Sequence, residues 1–175
     1  MLACVDVHYR DNIAVAGCVL FRDWSDNSPA EQLLVSEGPA APYLSGEFYL
    51  RELPPVLKVL SQVEVQLKTV VVDGYVWLNA SRNGLGAHLY SALGGKVPVI
   101  GVAKNVWRAK TQEPATEYAE RRTIPVIRGA SNRPLYVTTA GIDVVLAAQF
   151  VAAMHGRFRI PTLLAAVDTL VRSIR

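Results

Sequence analysis

Two apolar runs at the start of the chain, rich in small and β-branched residues, predict a β-hairpin. Residues 2–9 read LACVDVHY and residues 13–21 read IAVAGCVLF, with the polar residues 10–12 as a tight turn between them. A third run, Gln32 to Ser36, predicts that an antiparallel meander continues. The Pro- and Gly-containing stretch from Gly38 to Gly46 predicts a loop after it.

The spacing of apolar residues changes to that of a helix after this loop. A helix is predicted to start at about Glu52, and Pro54 and Pro55 then fall in its first turn, where proline is tolerated. Glu52 is therefore predicted at the N-terminus of this helix. The apolar residues at helical spacing are Leu53, Val56, Leu57, Leu60, Val63 and Leu67.

Two continuous apolar runs further along the chain are typical of strands buried on both faces. Residues 69–74 end in Asp73-Gly74, and residues 97–102 end just before Lys104. Residues 85–93 between them predict the crossover helix of a parallel β-α-β unit. The remaining predicted elements are a late hairpin, residues 124–127 and 135–138, and two helices, about residues 144–155 and 161–174.

The order of these elements predicts an α/β fold, with a mixed sheet of three antiparallel strands and then parallel β-α-β units, covered by helices. A chain of 175 residues, 51% of them hydrophobic, fits a single domain over residues 1–175. There is no signal-like segment and no apolar stretch of about 20 residues, so a cytoplasmic protein without a membrane span is expected. Cys4 and Cys18 are expected to be reduced core residues.

Charge is distributed unevenly along the chain. Residues 1–81 contain five basic and ten acidic side chains, whereas residues 82–175 contain 13 basic and five acidic ones. A basic region beside an acidic cluster suits a metal site next to a phosphate-binding surface. Solvated surface charge gives a similar count, so this pattern alone does not establish nucleic-acid binding.

Three carboxylates stand out from their surroundings. Asp6 interrupts the first apolar strand, where an ionised carboxylate needs a partner or a metal. Glu52 starts a predicted helix and Asp73 ends a buried strand, so both can meet Asp6 in an oxygen-rich site suited to Mg²⁺. If the hairpin turn is centred on Asp11, Ala16 lies opposite Asp6 and leaves room for an ion. A salt-bridged acid, a helix N-terminal charge and a turn residue remain alternatives for the three.

Five segments in order along the chain resemble the successive motifs of the endonuclease V family. They are VDVHY (residues 5–9), PYLSGEFYLRE (residues 42–52), VVDG (residues 71–74), GLGAHL (residues 84–89) and PVIGVAK (residues 98–104). The likeness extends to the tail GRFRIP at residues 156–161. Both the segments and their order are similar to the family's, over nearly the whole chain.

The resemblance implies a ribonuclease H-like fold and a Mg²⁺-dependent endonuclease that hydrolyses a phosphodiester bond 3′ to a deaminated base, usually inosine in DNA. Mn²⁺ is expected to substitute for Mg²⁺. Carried over by position, Asp6, Glu52 and Asp73 are the metal-binding carboxylates, and Lys104 completes the catalytic set as a phosphate contact. The implied protein acts in DNA repair and binds inosine-containing DNA in preference to RNA. The protein is expected to be a monomer.

The resemblance also implies how the substrate is held. Tyr43 lies in a Pro-Tyr-Leu-Ser stretch similar to the family's Pro-Tyr-Ile-Pro, and its ring would wedge into the helix where the extruded base had stacked. The glycines of this set would let the base approach the backbone closely. The implied substrate-binding residues are Tyr43, Gly46, Arg51, Gly74, Gly84 and Leu85.

The chain departs from the family pattern at two histidines. Asn79 stands six residues beyond the second aspartate, and Ile142 replaces a histidine that usually follows a late glycine. Slower turnover is therefore expected, with no histidine contribution to the pH profile. Asp143 is either a fourth metal ligand or a helix N-cap, and His88 is expected to cap or pack. Met1 lies beside the first strand, so a typical N-terminal segment is expected to be missing, with weaker DNA binding.

Two alternatives remain within the family resemblance. One is an inosine-specific endoribonuclease, and the other is a weakly active member that only binds nucleic acid, which the missing histidines favour. A third alternative, a small-molecule α/β enzyme, lacks support because the sequence contains no Gly-x-Gly-x-x-Gly, phosphate-loop or Gly-x-Ser-x-Gly motif.

Overall fold

A seven-stranded mixed sheet with helices on both faces forms the structure, a computed structural model that describes residues 1–39, 48–79, 82–107 and 122–173. The strands are β1 (Leu2–Arg10), β2 (Ile13–Phe21), β3 (Glu31–Glu37), β4 (Thr69–Asp73), β5 (Val99–Ala103), β6 (Ile124–Val126) and β7 (Leu135–Ala140). The helices are α1 (Phe48–Leu60), α2 (Leu85–Ala92), α3 (Val144–Ala153) and α4 (Thr162–Arg172). Within the described ranges, no helix has the length and apolar character needed to span a bilayer.

The strands lie in the order β3-β2-β1-β4-β5-β7-β6. β1, β2 and β3 form the predicted antiparallel meander, and β4 and β5 extend it as strands parallel to β1. The predicted late hairpin is confirmed as β6 and β7, with β7 antiparallel to β5. The predicted crossover helix is α2. Because β1, β4 and β5 run parallel, their carboxyl ends meet at one edge of the sheet.

Two apolar cores cover the two faces of the sheet. One contains Cys4 with residues of α3 and α4, and the other contains Val5 with residues of α1 and α2. Side chains alternate along a strand, so Asp6 follows Cys4 onto the face that α4 covers. Cys4 and Cys18 are buried free thiols, as predicted.

The first hairpin turn has two residues and is shorter than predicted. Asp11 and Asn12 have φ angles of 47° and 66°, the left-handed values that a two-residue hairpin turn requires. This turn places Gly17 opposite Asp6. The prediction that Ala16 lies opposite Asp6 was wrong by one residue, because a turn centred on Asp11 would contain three residues.

The helix α1 begins at Phe48, four residues before the predicted start, so Pro54 and Pro55 lie inside the helix. A proline in a helix interior cannot donate to the carbonyl four residues before it. For Pro55 that carbonyl belongs to Arg51, and it accepts a hydrogen bond of 2.8 Å from the hydroxyl of Tyr9. The predicted start was wrong because this tertiary contact supplies a donor that the helix lacks.

A buried arginine fixes the connection between α3 and α4. Arg128 is 6% exposed, and its guanidinium group can satisfy several carbonyls at once because it carries five N–H donors. It thereby joins the end of α3 to the segment that leads into α4. The carbonyls that accept its hydrogen bonds are those of Ala152, Met154, Gly156, Phe158 and Arg159.

Candidate active site

The three predicted carboxylates meet at the edge of the sheet where the parallel strands end. Val5 pairs with Val72, so Asp6 and Asp73 are neighbours in the parallel register, and Asp73 is the last residue of β4. Glu52 lies on the buried side of α1. The charges of Asp6 and Asp73 both act on Glu52. The structure therefore brings together three carboxyl groups that are far apart in the sequence.

Glu52 has the most perturbed carboxyl group of the site. Its side chain is 8% exposed, and burial, followed by the charges of Asp6 and Asp73, raises its pKa to about 9. Among the described residues, no salt bridge reaches Glu52. Without a bound cation, the Glu52 carboxyl group is therefore protonated at neutral pH. A cation bound at the cluster would favour its ionised form.

Asp6 is perturbed less, in the same direction. Burial and then the charge of Asp73 raise its pKa to about 6. The backbone N–H of Val7 donates a hydrogen bond of 2.8 Å to Asp6 Oδ1, which favours the ionised form and limits the rise. Negative charge is thus in excess at this point, as is typical of cation-binding and catalytic sites.

Among the described residues, Lys104 is the only basic residue that forms a salt bridge with one of the three carboxylates. It follows β5 directly, and its Nζ lies 2.5 Å from Asp73 Oδ2. Burial alone would lower the pKa of Lys104, but the hydrogen bond and charge of Asp73 raise it above its ordinary value. The predicted phosphate contact is therefore a charged ammonium group already at the carboxylate cluster.

An acidic residue that was not predicted as part of the site, Asp168, lies across the cavity from the carboxylate cluster. Asp168 of α4 acts electrostatically on both Asp6 and Lys104. Arg172, one helical turn later, donates two hydrogen bonds of 3.1 Å to it, and these bonds lower the pKa of Asp168. The available signal was an acidic residue at the edge of the apolar face of α4, which is weak in a single sequence.

A cavity of about 210 Å³ separates α4 from the carboxyl-end edge of the sheet. Its charged lining consists of Asp6, Asp73, Lys104 and Asp168. The approach of α4 depends on Gly17, since a Cβ added there would lie 2.7 Å from Cγ1 of Val171. The small residue opposite Asp6 therefore makes room for a helix, and not for an ion as predicted.

The donor set of the site suits a divalent cation by its chemistry. Carboxylate oxygens are the hard ligands that Mg²⁺ and Mn²⁺ prefer, and Asp6 and Glu52 lie where burial and repulsion disfavour uncompensated negative charge. Among the described residues, no three acidic, histidine or cysteine side chains stand in metal-ligand geometry. One Asp73 oxygen contacts Lys104, so side-chain rotations would be needed to complete a ligand set.

Two predicted base-pocket glycines flank the loop after β4. Gly74 has a φ of 137°, and a Cβ built there meets no atom within 4 Å, so its backbone borders open space beside Asp73. Gly84 differs, because a Cβ there would collide with the carbonyl oxygen of Tyr75. Gly84 is therefore required by local packing whether or not it also contacts a base, and Gly74 is the better placed of the two for a ligand.

Of the remaining predicted substrate-binding residues, the structure describes two, Leu85 and Arg51. Leu85 is the first residue of α2 and packs against the core between the sheet and α1. Arg51 holds its guanidinium carbon 3.8 Å from the centre of the Tyr9 ring, and its buried Nε has no hydrogen-bond partner among the described residues. Tyr43 and Gly46 lie outside the described residues, so their roles stay predictions.

The residues at the departures from the family pattern make structural contacts. Asn79 Oδ1 accepts a hydrogen bond of 2.7 Å from the backbone N–H of Arg82, and Ile142 packs at the margin of the core under α3. Asp143 Oδ1 accepts a hydrogen bond of 2.9 Å from the N–H of Leu146, which confirms the N-cap interpretation. The ring of His88 stacks on Tyr49 of α1 at a centroid distance of 3.6 Å, so His88 packs as expected.

A family profile and similar sequences both indicate the endonuclease V family. The endonuclease V family profile matches residues 1–169. Endonuclease V of Nocardia farcinica is 32% identical over 184 residues, which cover 98% of this chain and 80% of the relative. Endonuclease V of Streptomyces avermitilis is 29% identical over 182 residues, which cover 96% of this chain and 77% of the relative.

This chain belongs to the endonuclease V family. The crystal structure of the Streptomyces avermitilis endonuclease V matches it with a TM-score of 0.75 at 28% identity, covering 98% of this chain and 79% of that one. Endonuclease V of Ciona intestinalis, solved in complex with a 23mer DNA containing an inosine followed by a ribo-adenosine, has a TM-score of 0.79 at 17% identity. That match covers 98% of this chain and 83% of the other, and it shows the shared fold.

Membership of the endonuclease V family confirms the predicted fold class and the predicted class of enzyme. The family has a ribonuclease H-like fold, so the predicted fold class is confirmed. The chain is a nuclease, and nucleic acid is its partner. Endonuclease V nucleases generally depend on a divalent metal, which agrees with the oxygen-rich cluster at the end of β4.

Proposed function

We propose that this endonuclease V hydrolyses a phosphodiester bond 3′ to an inosine in DNA and requires Mg²⁺. The observation that carries the proposal is the convergence of Asp6, Glu52 and Asp73 at one edge of the sheet, with Lys104 bound to Asp73. The Ciona relative was solved with inosine-containing DNA, and this supports the choice of substrate. The role in DNA repair follows from that substrate.

The carboxylate cluster is proposed to hold the metal. Asp6, Glu52 and Asp73 would ligate Mg²⁺, with Mn²⁺ as a substitute. The bound ion would polarise the scissile phosphate and acidify a water molecule. The chain's own contribution is to fix carboxylates from β1, α1 and β4 at one point and to add the charge of Asp168 from α4 across the cavity.

Lys104 is proposed to act on the phosphate. Its ammonium group is held at Asp73 by a contact of 2.5 Å, while 41% of its side chain remains exposed. A fixed positive charge that a phosphate can approach offsets the negative charge that builds on the phosphoryl oxygens in the transition state. The same contact occupies one oxygen of Asp73 until the ion and the substrate arrive.

The substrate-binding residues are proposed from the family motifs that the chain carries. Tyr43 would stack in the place of the extruded base, and Gly46, Gly74, Gly84 and Leu85 would line the pocket that receives inosine. Arg51 would contact the nucleic acid near the metal site. Residues 1–175 would act as one domain and as a monomer.

One observation favours a weakly active member as the second candidate. Asn79 and Ile142 stand where the family commonly has histidines, and both have structural contacts in this chain. Such a protein would bind inosine-containing nucleic acid but cut it slowly.

Cleavage assays on matched oligonucleotides test the proposal. DNA and RNA strands with and without one inosine are incubated with Mg²⁺, with Mn²⁺ or with a chelator, and the cut is mapped to the nucleotide. Metal-dependent cleavage one nucleotide 3′ of inosine, faster in DNA, is expected. Faster cutting of the RNA strand would favour the endoribonuclease, and tight binding without cutting would favour the weakly active member.

The variant Asp73→Asn tests the residues. It is expected to abolish cleavage while the fold is retained, because it removes a charged ligand and the partner of Lys104. Glu64→Gln, at an exposed acidic residue, is the matched control and is expected to cut like the wild type. Wild-type activity of Asp73→Asn at equal metal concentration would show that the carboxylate assignment is wrong.

A further inference from the structure

Two consecutive prolines, Pro54 and Pro55, interrupt the hydrogen-bond ladder of α1 two residues after Glu52. Helical N–H groups donate to the carbonyl four residues before them, and proline has no N–H to donate. Pro54 and Pro55 therefore leave the carbonyls of Leu50 and Arg51 without their helical donors. Glu52 lies between these carbonyls and the prolines, in a turn that lacks two of its helical hydrogen bonds.

Tyr9 supplies the donor that Pro55 lacks. Its hydroxyl donates to the carbonyl oxygen of Arg51 at 2.8 Å. This carbonyl belongs to the peptide unit that joins Arg51 to Glu52, and a peptide unit is planar. Fixing its orientation therefore fixes the position of the Glu52 backbone.

The hydrogen bond also connects the two elements that carry buried carboxylates. Tyr9 lies on β1, three residues after Asp6, and pairs with Ala14 of β2. The guanidinium group of Arg51 rests on the Tyr9 ring at 3.8 Å from its centre, which restricts rotation of the ring. A rigid strand thus holds the segment of α1 that carries Glu52.

We propose that Tyr9 is a positioning residue that places the Glu52 carboxylate for metal binding through its hydrogen bond to the Arg51 carbonyl. The role rests on the proposed function, because it gives Glu52 its place in the metal site. This role differs from a general contribution of Tyr9 to folding. The Tyr9 hydroxyl is needed only because Pro55 has no N–H to donate to the Arg51 carbonyl. If residue 55 had an N–H, the helix would hold the same carbonyl by itself.

Three variants separate these possibilities: Tyr9→Phe, Pro55→Ala and the double variant. Tyr9→Phe removes only the hydroxyl, and Pro55→Ala restores the backbone donor to Arg51. Mn²⁺ affinity is measured by electron paramagnetic resonance, and thermal unfolding is followed in a chelator. The second readout contains no metal, so it reports the hydrogen bond independently of the proposed function.

The expected result is a dependence of the Tyr9→Phe effect on residue 55. In the wild-type background, with Pro55 present, Tyr9→Phe lowers Mn²⁺ affinity about tenfold, in the range found when groups that orient metal ligands are removed. In the Pro55→Ala background it changes the affinity by less than about twofold, and its destabilising effect in the chelator shrinks as well.

Two results would overturn the proposal. Unchanged Mn²⁺ affinity of Tyr9→Phe would show that Glu52 needs no support from Tyr9, and an equal loss in both backgrounds would show that the hydroxyl acts elsewhere. Absence of Mn²⁺ binding by the wild type would refute the metal site and this role with it. The unfolding data would then still show whether the hydroxyl replaces the N–H that Pro55 lacks.

Discussion

Replacing Glu52 by glutamine is expected to stabilise the metal-free protein at alkaline pH. Buried glutamate beside Asp6 and Asp73 is costly to ionise, and its pKa rises from 4.5 to about 9 on folding. A raised carboxyl pKa contributes stability that is fully present below pH 4.5 and is lost as the pH rises through about 9. Glutamine has nearly the same shape and carries no charge at any pH.

The size of the effect follows from the same pKa change. Each unit is worth about 1.4 kcal/mol, so at pH 8 the free energy of unfolding of the wild type is lowered by on the order of 3–5 kcal/mol relative to pH 4. Glu52→Gln removes this loss. For a chain of this length, a gain of that order raises the melting temperature by roughly 6–20 °C.

Thermal unfolding in a chelator between pH 5 and pH 9 measures the difference. The two proteins are expected to converge at the acidic end and to separate as the pH rises, and Glu64→Gln at an exposed site is expected to follow the wild type. Added Mg²⁺ is expected to reverse the order, because only the wild type gains from the ion. If Glu52→Gln melted at or below the wild-type temperature at pH 8 without metal, Glu52 would not belong to a repulsive cluster.

Three further predictions concern the ion, the fourth carboxylate and the base. Mg²⁺ binding at pH 8 is expected to release up to one proton, chiefly from Glu52, because ligands must ionise; calorimetric heats that do not depend on buffer ionisation would contradict this. Asp168→Asn is expected to lower kcat about 10–100-fold with the melting curve preserved, and an unchanged kcat would remove Asp168 from the site. Tyr43→Ala is expected to weaken binding to inosine-containing DNA by about 1–3 kcal/mol and to undamaged DNA by less, whereas equal losses in a filter-binding assay would indicate general loop damage.

The strands and the position of the acidic cluster could be predicted because they depend on local pattern. Asp6 breaks an apolar strand, and Asp73 ends another. Parallel strands bring such ends to one edge whatever the details of packing. The placement of Asp6 and Asp73 at the same edge of the sheet was therefore accessible from the sequence alone.

The parts that could not be predicted depend on contacts between distant residues. The start of α1 was misjudged because the donor for the Arg51 carbonyl comes from Tyr9, which no helical pattern reveals. Asp168 was missed because its approach to Asp6 requires α4 to pack over Gly17. Whether Ala16 or Gly17 lies opposite Asp6 depends on whether the hairpin turn has three residues or two. The spacing of apolar residues does not decide the length of the turn.

The position of α4 also bears on how the nuclease is made in the cell. A ribosome adds about 5–20 residues per second and domains fold as units, and the face of β1 that carries Asp6 stays uncovered until α4 has emerged. Asp168 arrives with that same helix, more than 90 residues after Asp73. A nascent chain therefore lacks one wall of this cavity until its last residues have been added.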